Sequence, residues 1–66
     1  MLSQRDMMRE LLRRHGRDEA RLVREYAAAE SRGEVQRSSN EYGLSPEQYA
    51  ERLLADARKK GWIRGY

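Results

Sequence analysis

Residues 43–61 read GLSPEQYAERLLADARKKG, and the reading of the fold turns on them. Ser45 stands where a helix wants a side-chain oxygen to accept an orphan backbone N–H. Pro46 follows at the first helical position, where its missing N–H costs nothing. Gln48, three residues after the serine, completes a capping box, and Leu44 can staple onto Tyr49. Tyr49, Ala50, Leu53, Leu54 and Ala57 then recur at helical spacing on one face. The stretch predicts a helix over 46–60, stopped by Gly61, where a left-handed residue is wanted.

The same grammar recurs toward the N-terminus. Ser3 is an N-cap and Asp6 is the acid of its capping box, with Leu2 placed to staple onto Met7. Met7, Met8, Leu11, Leu12 and His15 share one face of a helix over 4–15. Arg13, Arg14 and His15 lie at the negative end of its dipole, before Gly16. Asp18 caps a second helix over 19–32, with Leu22, Val23, Tyr26 and Ala27 as its stripe and Gly33 after its end. The segments LSQRDMMRELLRR and LSPEQYAERLLAD align at an offset of 42 residues. Duplication and convergence on one helix-start pattern both account for that, and convergence is the simpler account.

Residues 34–43, EVQRSSNEYG, read ambiguously. Val35, Ser39 and Tyr42 would share a face of a short fourth helix. Ser38, Ser39 and Asn40 argue for a turn. An extended piece at Val35, pairing with Trp62–Arg64, is a third reading. Trp62 and Ile63 are expected to fold back over Ala57 and Leu53.

The expected fold class is therefore all-α: a three-helix bundle, or four with 34–42, in one domain over 1–66. The expected core is Met7, Met8, Leu11, Leu12, Leu22, Val23, Tyr26, Tyr49, Leu53, Leu54 and Trp62. At 66 residues the chain buries a modest share of its surface, and with no cysteine it lacks disulfide or thiolate-zinc staples. There is no signal-peptide core and no run of about 20 apolar residues. A cytoplasmic address and a chain that starts at its initiating Met1 are the expectations.

Catalysis finds little footing. There is one histidine, and no Gly-rich phosphate loop, H-E-x-x-H or metal-spaced cluster is present. His15 reads as a structural residue near a helix end, with Glu19 as its expected neighbour. A non-enzymatic protein without cofactor or metal is expected.

Net charge is +3, carried by twelve arginines and two lysines against eleven acids. Arginine suits phosphate forks, although a GC-rich codon bias also produces arginine and alanine. Arg5, Arg9 and Arg13, four apart, form a ridge that could track phosphates. Asp6 and Glu10 beside it also fit a solvated, salt-bridged face. On the last helix, Gln48, Glu51, Arg52, Ala55 and Lys59 face outward. Gln can read adenine and Arg can read guanine in the major groove. Glu47, Glu51 and Asp56 would repel phosphates unless paired internally, as Asp56 could be with Arg52 or Lys60.

The 39–61 region resembles the turn and recognition helix of helix-turn-helix DNA-binding proteins, such as the sigma-factor and LuxR-type families. In that resemblance Gly43 is the turn glycine, Leu44 the core residue after it and Ser45 the cap. Ser39 takes the small-residue slot and Tyr49 the inward apolar slot, while Ser38 and Arg52 depart from the usual apolar pattern. The resemblance implies a DNA-binding or regulatory module. Gln48 and Arg52 would contact bases in duplex DNA, and Lys59, Lys60, Arg5, Arg9 and Arg13 would contact phosphates. The alternative is a protein-interaction module, an adaptor or inhibitor, that docks or homodimerises through Trp62, Ile63 and Tyr66. A membrane-surface role is disfavoured by acids on every helix.

Overall fold

The computed structural model describes residues 2–16, 18–38 and 43–61. These form three helices: α1 (Gln4–His15), α2 (Glu19–Ser31) and α3 (Pro46–Lys59). Each starts where its cap predicts. Ser3 Oγ accepts from Asp6 N–H at 3.1 Å, Asp18 Oδ1 from Arg21 N–H at 3.2 Å, and Ser45 Oγ from Gln48 N–H at 3.2 Å. The α3 capping box is closed from both sides, because Gln48 Oε1 accepts from Ser45 N–H at 3.0 Å.

The end of α2 sets the path of the chain. Gly33 has φ 78°, in the left-handed region. Its N–H donates to Glu30 O at 3.0 Å and Glu34 N–H donates to Ala29 O at 2.9 Å. These two bonds satisfy carbonyls that the helix leaves open, in the pattern of a Schellman cap. The reversal sends Val35 into the core, where it is 2% exposed. Val35 forms an isolated parallel bridge with Leu2, and Leu2 N–H donates to Glu34 O at 3.0 Å. Val35 is thus extended as a single bridge residue, paired with Leu2, and the expected pairing with Trp62–Arg64 lies outside the described residues. Leu2 itself is 45% exposed, so its expected staple over Met7 adds little burial.

The helices run antiparallel in succession. The start of α1 reaches the end of α2 through Leu2 and Glu34. Glu19 at the start of α2 forms an ion pair with Arg58 near the end of α3. α2 packs against both other helices. Met7, Met8 and Leu11 meet Leu22, Val23, Tyr26 and Ala29, then Ala50, Leu53, Leu54 and Ala57, in one buried cluster. Leu12 and Tyr49, expected in the core, are only partly buried against it. The alanines let backbones approach closely.

Residues 34–38 hold no helix, since Val35 is committed to its bridge. The remainder of the expected fourth helix, with Ser39 and Tyr42, lies outside the described residues, as do the calls on Trp62, Ile63, Arg64 and Tyr66.

Candidate nucleic-acid interface

α3 buries Ala50, Leu53, Leu54 and Ala57. The face opposite that stripe carries Gln48, Arg52, Ala55 and Lys59, all exposed. The cap fixes the phase of this face: Ser45 and Pro46 start the helix, and the apolar stripe then dictates which residues look outward. Glu51, expected on this face and exposed as well, borders the line one turn from both Gln48 and Ala55. The three acids of α3 sit toward its flanks.

The flanks differ in charge. One borders a cleft of about 400 Å³ lined in part by Gln4, Ser38, Tyr49, Arg52, Lys59 and Lys60, with Asp56 as its acid. Asp56 accepts an ion pair from Lys60 at 2.9 Å, as expected of an acid needing an internal partner. The other flank borders a cleft of about 520 Å³, where Glu19, Glu47 and Glu51 accompany Arg24 and Arg58 over Val23 and Leu54. α3 therefore separates a basic side from one with more acids than bases.

On α1, Arg5, Arg9 and Arg13 are exposed. They differ in their surroundings. Arg13 donates to Glu10, which also accepts from Arg14 Nε at 3.2 Å. The Arg13 hydrogen bond, with the charges of Arg13 and Arg14, holds the Glu10 carboxyl below its usual value. Arg5 and Arg9 have no ion-pair partner among the described residues. His15 is partly buried at the end of α1, and Glu19, its expected neighbour, forms an ion pair with Arg58.

Sequence reasoning missed the residue that holds α3 in place. Arg37 donates through Nε to Glu30 Oε1 at 2.8 Å and through Nη1 to Leu44 O at 2.8 Å. Its guanidinium carbon lies 4.5 Å from the centre of the Tyr49 ring. The Arg37 and Glu30 side chains are only 13% and 15% exposed. Tyr49 Oη in turn accepts from Gln4 Nε2 at 2.6 Å and lies 3.0 Å from Ser38 Oγ. Residues from α1, α2, the 34–38 segment and the start of α3 thus meet in one polar cluster. A signal was present: Glu30 falls on the apolar side of α2, and an acid there requires a cation.

Among the described residues no group of three metal-ligating side chains occurs, and no helix is long and apolar enough to cross a membrane. Comparison with protein-family models, with curated proteins and with solved structures finds no match.

Proposed function

We propose that the protein is a small non-enzymatic DNA-binding or regulatory module that presents α3 to the major groove of duplex DNA. The observation that supports this is the exposed outward line Gln48, Arg52, Ala55, Lys59, bordered by Glu51 on one side, on a helix capped at its start and braced by α2 and Arg37. Ala55 at the centre of the face permits close approach. Gln48 and Arg52 are the base-contacting residues in this reading. Lys59, Arg5 and Arg9 meet phosphates, and Arg13 and Lys60 do so less strongly because Glu10 and Asp56 offset their charges. The objection from the acids of α3 is reduced, since Asp56 is paired with Lys60 and Glu47 and Glu51 lie on the opposite flank.

Titration of labelled duplex DNA at two salt concentrations tests the reading. About four phosphate contacts make affinity fall roughly 100-fold between about 50 and about 200 mM salt. Arg5→Ala with Arg9→Ala lowers both the affinity and the salt slope. No binding at the lower salt overturns the proposal.

A further inference from the structure

Gln48 has a structural engagement that bears on which base it can read. Its Oε1 accepts from Ser45 N–H at 3.0 Å in the capping box. A backbone N–H can only donate, so the amide atom facing it is the oxygen, and the cap itself fixes the orientation of the group. Reading adenine takes both ends of that amide: the oxygen accepts from N6 while the nitrogen donates to N7. With the oxygen turned toward the helix start, Nε2 and its two donor hydrogens are what the side chain has left to offer. An adenine edge offers such a group N7 alone, beside N6 amino hydrogens that oppose its second donor. Guanine, with N7 and O6, and thymine, with O4, offer acceptors alone.

We infer that Gln48 is a specificity-determining residue that selects an acceptor edge, guanine or thymine, and discriminates against adenine. The inference rests on the reading of α3 as the groove-facing helix. Arg52, one turn further along, prefers the same guanine acceptors. Four residues of helix advance about 6 Å, close to two base steps. The two side chains together therefore favour two acceptor-rich positions about two base pairs apart. Freeing the oxygen to read adenine would forfeit a cap bond, a penalty of roughly fivefold in affinity.

The test is selection of bound duplexes from a randomised pool by the full 66-residue chain, repeated with Gln48→Ala, Gln48→Glu and Arg52→Ala. The expected result is a position preferring guanine or thymine over adenine by about fivefold or more. That preference disappears in Gln48→Ala. It turns toward cytosine in Gln48→Glu, because a carboxylate still closes the capping box yet can only accept, from cytosine N4. The position lies about two base pairs from the one that Arg52→Ala relaxes. A Gln48-dependent position that selects adenine overturns the inference, and so does a Gln48→Ala profile identical to that of the unmodified protein. If the unmodified chain enriches no duplex at low salt, the DNA-binding reading fails and takes this inference with it, and that outcome is distinct from the other two. Circular-dichroism melts check that each variant folds, and Gln48→Glu, which keeps the cap, carries the test should Gln48→Ala unfold.

Discussion

Tyr26 is the largest of the fully buried side chains, and its hydroxyl is buried without a hydrogen-bond partner. An unpaired buried hydroxyl is a cost rather than a support. Tyr26→Phe is therefore expected to leave stability unchanged or to raise it by about 1 kcal/mol, measured by thermal or urea melts. The pH dependence carries the same signature. Burial pushes the Tyr26 phenol well above its usual value, with Tyr49 and Glu30 adding to the rise; the nearby Gln4 amide, whose donor is directed to Tyr49 Oη and does not satisfy the hydroxyl, and the charge of Arg37 oppose it. A pKa raised in the folded state gives stability that is complete below the unfolded value, roughly 10, and is lost as pH rises beyond it. The protein should lose stability above about pH 10, and Tyr26→Phe should flatten that limb. Glu10 and Glu34 behave in the opposite sense. Arg13 and Arg32 hold their carboxyls low, so their small, solvent-screened contribution fades as pH falls through the carboxylate range. That Tyr26 lies in the core is legible from its place in the α2 stripe. That its hydroxyl would find no partner is not, because the nearest polar groups come from three other parts of the chain.

At the scale of elements, the caps carry the argument. Ser45→Ala removes the acceptor for Gln48 N–H and should cost about 1 kcal/mol by denaturant melts. Gly33→Ala should cost about as much, because an alanine there must hold the left-handed φ that the cap of α2 requires. All three helix starts were readable, since a cap is decided within four residues of sequence. The helix ends fall one residue short of the sequence-based bounds in α2 and α3, where Arg32 and Lys60 act as C-caps. The 34–38 segment was unreadable for a different reason. Its own propensities are balanced, and a distant residue, Leu2, decides the outcome by pairing with Val35. Val35→Ala should cost about 2 kcal/mol and loosen the attachment of the N-terminus, visible as faster amide exchange at Leu2.

Over the whole molecule, the Arg37 cluster ties the three helices together at one end of the bundle. Removing one member of a nearly buried ion pair strands the other. Arg37→Met should cost about 3 kcal/mol, a large part of the stability of so small a domain. Glu30→Leu combined with Arg37→Met should recover most of that loss, because the apolar replacement leaves no charge behind. If the single and double variants melt alike, the pair is not what holds α3 in place. The Glu19–Arg58 pair at the other end is more exposed and should matter less. The outward face of α3 was legible from the stripe opposite it. The engagement of Gln48 was legible as a capping box, and the structure closes that box from both sides.

The sequence by itself determined where each helix begins, roughly where it ends, and which stripe of each is apolar. These are properties of neighbours one turn apart, settled by caps, glycines and 3.6-residue periodicity. Only the tertiary structure decided that Val35 pairs with Leu2, that Arg37 bridges Glu30 and Leu44, and that Glu19 meets Arg58. Those partners are separated in the chain, and their pairing is fixed by which packing buries the apolar stripes together while leaving the fewest charges stranded.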